Sequence, residues 1–183
     1  LKIPGYSAYL HPMEPGFLLG IGQDATDGGR RLGSMLQVFD VRNPDNPIQV
    51  AKVRIGGQSE AEYDHHAFLY WAATHNAFVP STDYGNGTPN GFFSGLVVAN
   101  VSTTAVSEKG RITHDIAFNG QYQPGIVVPP ITTIPGTPPS AVKAYDQIRR
   151  ALIVNGRLVT IGYQSAKVSE LDTLRQQLFT TFA

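Results

Sequence analysis

Apolar residues along this chain come in short runs that partly alternate with polar ones and stop at Gly, Pro, Asn or Asp. That spacing of two marks β-strands. Three runs open alike: Ala8-Tyr9-Leu10-His11, Ala67-Phe68-Leu69-Tyr70 and Ala151-Leu152-Ile153-Val154. A second run follows each, at residues 17–22, 77–80 and 158–162. A third fits Val-x-(Asp/Asn/Glu)-apolar: Val38-Phe39-Asp40-Val41, Val98-Ala99-Asn100-Val101 and Val168-Ser169-Glu170-Leu171. Fourth runs lie at 48–55 and 178–182, with a weaker one at 110–116. Four strand-like runs, three times over, is the pattern of β-propeller blades. The pattern therefore predicts an all-β chain of about three four-stranded blades, at about 6–58, 64–118 and 149–183. The matching valines are spaced more widely than the ~40–50 residues of compact blades. Two insertions take up the excess, the Gly/Asn-rich 83–91 and a Pro-rich stretch at about 119–148. An irregular β-sandwich is the competing architecture. Only 140–150 (SAVKAYDQIRR) reads as helical.

Composition narrows the function classes without naming one. A chain of 183 residues is long enough for one domain with a real core. Fourteen basic and fourteen acidic side chains cancel, and no basic cluster offers nucleic acid an electrostatic footprint. With 15% charged residues, 19 Gly and 13 Pro, the balance favours turn-rich β structure. The apolar runs are too short to span a membrane. Cysteine is absent, which removes disulfides, thiolate metal sites and a Cys nucleophile and fits an extracytoplasmic protein. The chain begins at Leu1 with neither an initiator Met nor a signal peptide, so a processed or excised portion of a longer protein is expected.

Specific stretches carry a resemblance. They are Ile3-Pro4-Gly5-Tyr6-Ser7-Ala8-Tyr9-Leu10-His11-Pro12, Leu19-Gly20-Ile21-Gly22-Gln23-Asp24, Leu36-Gln37-Val38-Phe39-Asp40-Val41 with Asn43-Pro44-Asp45-Asn46-Pro47, and the stretch 59–71, SEAEYDHHAFLYW. Together they resemble the bacterial and archaeal secreted proteins that carry a C-terminal β-propeller distantly related to WD40 repeats. The likeness is dense over 3–80 and looser beyond. It implies a propeller fold and an extracellular or cell-envelope setting, and it brings no reaction or catalytic residues. Closed propellers use 4–8 blades, so about three imply the C-terminal portion of a larger propeller. The remaining blades, N-terminal or in a partner chain, are the expected partners, because an open blade exposes edges that aggregate.

The stretch 59–71 is also the densest chemical cluster. If it is extended, Glu60, Glu62, Asp64 and His66 share one face and His65 points away from His66. Oxygen-rich ligands with one imidazole suit Ca²⁺, Mn²⁺ or Zn²⁺. The structural reading of the same residues is a buried hydrogen-bonded pair of Asp64 with a histidine, pinning the turn between blades. The corresponding Asp146-Gln147-Ile148-Arg149-Arg150 does not repeat that polarity, which keeps the metal reading open. The turn Gln23-Asp24-Ala25-Thr26-Asp27-Gly28-Gly29 lacks an EF-hand pattern, although Asp24 could join a cation site at the channel mouth. Asn43-Pro44-Asp45-Asn46-Pro47 is a structural turn. His11, His75 and His114 stand alone near strand ends, His11 on a first strand. There is no nucleophile elbow, phosphate loop, dinucleotide fingerprint or His-Glu-x-x-His. Asn86-Gly87-Thr88 and Asn100-Val101-Ser102 match the glycosylation triplet.

Two functions follow. The first is a non-catalytic extracytoplasmic scaffold at the cell envelope. Its long loops, with Tyr84, Phe92, Phe93 and Tyr122 beside them, would meet envelope protein or glycan. The alternative is a metal-dependent hydrolase or oxidoreductase. It would use Glu60, Glu62, Asp64 and His66 with a divalent cation such as calcium.

Overall fold

The alternating runs fold as antiparallel strands. The computed structural model describes residues 3–85, 91–117, 123–129 and 143–182. Strands β1 (Tyr6–Pro12), β2 (Phe17–Ala25), β3 (Arg31–Asp40) and β4 (Ile48–Gly56) pair in sequential order as the first sheet. Strands β5 (Leu69–Trp71), β6 (Asn76–Tyr84), β7 (Phe92–Val101) and β8 (Val106–Ile112) form the second in the same way. A three-stranded ribbon of β9 (Asp115–Ala117), β10 (Ile126–Val127) and β11 (Lys143–Asp146) follows. The third four-stranded sheet is β12 (Ile148–Val154), β13 (Arg157–Gly162), β14 (Ser165–Glu170) and β15 (Gln176–Thr181). Among the described residues there is no α-helix, and no helix is long and apolar enough to cross a membrane.

The sheets stack in series, which is the geometry of blades and not of a two-sheet sandwich. The second sheet shows why. Successive strand residues face opposite ways, and here both faces are covered. Ala77 and Val79 of β6, with Val97 and Ala99 of β7, pack on Leu19, Ile21, Leu36 and Val38 of the first sheet. Phe78, Leu96 and Val98, one residue out of phase, pack on Ile148, Ala151 and Leu158 of the third. A strand buried on both faces reads as a continuous apolar run, as Leu96-Val97-Val98-Ala99 does.

Turn chemistry closes the hairpins. In the β12–β13 hairpin Asn155 and Gly156 both have positive φ (49° and 72°), the two-residue turn whose twist matches its strands. Between β3 and β4 the Asn43 side chain accepts from Asp45 N at 3.2 Å, and Asn46 N donates to the Asn43 carbonyl at 3.1 Å, so that turn is structural as expected. At Gly22 a Cβ would lie 2.0 Å from the Tyr6 carbonyl oxygen, so only glycine allows β1 to lie this close beside its bulge.

The helical expectation for 140–150 is wrong over its described part. From Lys143 the chain is strand, with Lys143, Ala144 and Tyr145 paired to Ala117, Ile116 and Asp115. Ala144, Asp146 and Ile148 are buried and the intervening residues less so, a period of two. Tertiary pairing overrides a weak local helix preference. The fourth strand of the second sheet also begins earlier than its weak signal, at Val106.

Candidate functional site

The polar connector between β4 and β5 is not extended, and this overturns the shared face expected of Glu60, Glu62, Asp64 and His66. It folds as two successive 3₁₀ turns, Glu60–Glu62 and His65–Ala67. Ser59 caps the first: its Oγ accepts from Ala61 N at 3.2 Å, while Glu62 Oε1 accepts from Ser59 N at 3.0 Å. Asp64 caps the second, with Oδ1 accepting from His66 N at 3.0 Å. Short polar side chains that satisfy the backbone locally compete with strand pairing.

The turns send the carboxylates in different directions. Glu62 reaches the first sheet, where it accepts from Gln23 Nε2 at 2.9 Å and from the Ser34 hydroxyl. Glu60 reaches the third sheet and accepts from Arg149 Nε at 3.2 Å, with Arg150 Nη1 at 3.7 Å. Asp64 Oδ2 accepts from Arg150 Nη2 at 2.6 Å, and its Oδ1 lies 2.9 Å from His66 Nδ1. The hydrogen bonds from His66, side chain then backbone, and the Arg150 guanidinium hold the Asp64 carboxyl down at about 2. Glu60 in turn pushes the Arg149 pKa up. The aspartate–histidine pair does exist at this turn, but it is largely solvent-accessible and not buried. The arginines of Asp146-Gln147-Ile148-Arg149-Arg150 answer the acids of the connector; they supply its counter-charges.

His65 and His66 come together where an extended chain would part them, their ring centroids 4.1 Å apart. Asp64, His65 and His66 each offer a ligand atom within 4.8 Å of the others. His65 stacks on Tyr9 at 5.8 Å and an interplanar angle of 28°. From Tyr9 a line of imidazoles and phenols follows the first strands. Tyr9 OH lies 3.2 Å from His11 Nδ1, His11 packs edge-on to Tyr70 at 5.6 Å, and Tyr70 OH lies 3.2 Å from His75 Nδ1, which also meets Glu14 at 3.2 Å. Burial lowers the His11 pKa; burial, then the Glu14 charge, raises that of Tyr70.

Asp24 does not open onto a cation site. It is buried at the end of β2 and bound by Lys52 Nζ at 2.9 Å and Ala25 N at 3.0 Å. Asp83, at the matching end of β6, stands 4.0 Å from Arg54. Tyr63, 83% exposed between the two 3₁₀ turns, separates two clefts. One of about 260 Å³ is bounded by Glu60, Pro80, Gln147 and Tyr163; the other, of about 320 Å³, by Arg31, Arg54, Asp83 and Tyr84. Tyr84 and Phe92 touch edge-on at 6.0 Å, and Phe93 is buried under Arg111. Tyr122 and Asn86-Gly87-Thr88 lie outside the described residues. Asn100, of the other triplet, is on β7 and accepts from Asn76 Nδ2 at 3.0 Å.

A second polar node, read in the sequence only as an isolated His114, is wholly buried. His114 Nδ1 lies 2.7 Å from Ser165 Oγ and Nε2 2.7 Å from Thr160 Oγ1, while Ser165 Oγ donates to Asp146 Oδ2 at 2.6 Å. Asp146 also accepts from Tyr163 N and Gln164 N at 3.0 and 2.9 Å. Burial first, then the Lys167 charge, holds the His114 pKa down at about 4. This node pins the end of the second sheet to the third, as Glu62 pins the β4–β5 connector to the first sheet.

Sequentially ordered four-stranded sheets stacked face to face are propeller blades in arrangement, and the family comparison agrees. The family described as Beta propeller domain matches residues 1–174. The chain belongs to that family. An uncharacterized protein of Methanocaldococcus jannaschii is 38% identical over 85 residues, which are 46% of this propeller chain and 13% of that relative. The propeller chain thus aligns with a small fraction of that protein's length. No solved structure matches it.

Proposed function

We propose that this β-propeller chain is a non-catalytic binding and structural scaffold at the cell envelope, and that further blades complete it. The observation that carries the reading is the fate of the connector's acids. Glu60, Glu62 and Asp64 are each committed to a partner in a neighbouring sheet, so the residues that looked most reactive act as struts. A carboxylate held by an arginine is a poor general base, because the proton it must accept competes with the ion pair. What the struts leave outward is Tyr63 and a clefted ridge beside Tyr84, on a rigid frame of the kind where binding surfaces tend to reside. An amphipathic phenol flanked by Arg31 and Arg54 suits an acidic or hydroxyl-rich envelope component, a glycan or an anionic protein loop.

Absence of cysteine and the resemblance to secreted propellers support the envelope setting. The test is a titration of the ¹⁵N-labelled protein with envelope polysaccharide fractions. Shifts confined to Tyr63, Tyr84 and their neighbours, lost in Tyr63→Ala with an unchanged melting temperature, are expected. Turnover of a chromogenic ester or glycoside that Asp64→Asn abolishes would overturn the reading.

A further inference from the structure

Asp64, His65 and His66 sit in one 3₁₀ turn, and each presents a donor atom within 4.8 Å of the other two. We infer that these three residues form a binding site for a borderline divalent transition-metal ion, zinc or copper(II) in preference to calcium. The donor chemistry selects the ion. Two imidazoles and one carboxylate suit zinc and copper, while calcium needs six to eight oxygens. The oxygens that calcium would require are turned away, Glu60 to Arg149 and Glu62 to Gln23 and Ser34.

The site is also held in shape before any ion arrives. The turn's own N–H donates to Asp64 Oδ1, and Arg150 grips the other oxygen, so the carboxylate has a fixed orientation and one face for a ligand. Such outer partners orient metal ligands elsewhere. Tyr9 stacks on the His65 ring and limits its rotation. The His66 Nδ1 to Asp64 Oδ1 hydrogen bond at 2.9 Å links the two groups that an ion would bridge, and binding replaces the proton between them. Both histidines are exposed, which gives an ion a way in and leaves its remaining positions to water.

This site does not depend on the scaffold reading, since glycan titration and metal titration report separately. The test uses the protein prepared without a histidine tag. Calorimetric titration with Zn²⁺ is expected to show one ion per chain, with His65→Ala and His66→Ala each weakening it roughly tenfold or more and His11→Ala and His75→Ala leaving it unchanged. Copper(II) resonance spectra are expected to carry nitrogen hyperfine structure from two imidazoles, one of which disappears in each of the first two variants. Because those rings are exposed, the variants keep the parent melting temperature without metal. Binding that survives both His→Ala changes, or that calcium competes away at equal concentration, overturns the assignment.

Discussion

Glu62 and His114 show how single polar residues hold neighbouring sheets in place. Glu62 accepts from Gln23, the Ser34 hydroxyl and Ser59 N, and both Gln23 and Ser34 are buried. Glu62→Ala leaves the Ser34 hydroxyl and Ser59 N without an acceptor, while Gln23 Nε2 keeps the Gly57 carbonyl at 3.3 Å, and the expected loss is about 1–3 kcal/mol in denaturant unfolding. Glu62→Gln, which keeps one carbonyl acceptor, is expected to lose less. His114 makes stability depend on pH. Its imidazole is neutral in the folded state because its pKa lies at about 4 against an ordinary 6.5. Above pH 6.5 neither state is protonated, so the contribution is complete. As the pH falls from 6.5 towards 4, the unfolded chain takes up a proton that the folded chain resists. Stability is therefore lost across that window, on the order of 3 kcal/mol in all. Urea midpoints measured from about pH 7 to pH 4 are expected to fall for the native chain. The slope is expected to flatten in His114→Gln, which has nothing to titrate there.

Among the elements, β6 and β7 each have two faces that belong to two different cores. Phe78, fully buried, faces the third sheet while Val79 faces the first. Phe78→Ala is expected to cost about 3–5 kcal/mol by removing a large side chain that the surroundings cannot replace. In hydrogen exchange the second and third sheets are expected to lose protection together. These strands were legible because alternation and turn residues are local signals, and Asn155-Gly156 or Asn43-Pro44 act where they stand. The connector was legible only in part. Ser59 and Glu62 form a capping box that the sequence displays, yet taking the turn between blades as extended passed over it and placed Glu60, Glu62, Asp64 and His66 on a common face. The 3₁₀ turns disperse the acids and join His65 to His66 instead. Arg149 and Arg150 lie 89 and 86 residues from their acids, Glu60 and Asp64, and only the stacking of sheets brings them together. The same holds for β11, whose strand character comes from a partner at 115–117.

At the scale of the whole molecule, the third sheet turns an apolar row away from its neighbour. Leu152 pairs with Val159, Val159 with Val168, and Val168 with Leu178, so four aliphatic side chains cross the sheet on one face. The two ends of the row are accessible, Leu152 at 46% and Leu178 at 57%. A face of this composition resembles the inner faces already buried between the sheets, and in a closed propeller each blade is covered on both sides. The occupant proposed for it is a further blade of the same propeller. The chain contains no cysteine, so a single Leu178→Cys substitution gives a thiol probe free of background. In the 183-residue chain that thiol is expected to react with a maleimide as fast as a free one. In a longer protein carrying the further blades, the reaction is expected to slow by at least tenfold, as burial of a leucine-sized side chain requires. Leu178→Lys is expected to leave the short chain folded and reduce its self-association in sedimentation, while destabilising the longer protein by about 2–3 kcal/mol. Equal labelling rates in the two proteins would show that this face meets solvent in both, and the proposed covering blade would then have to be abandoned.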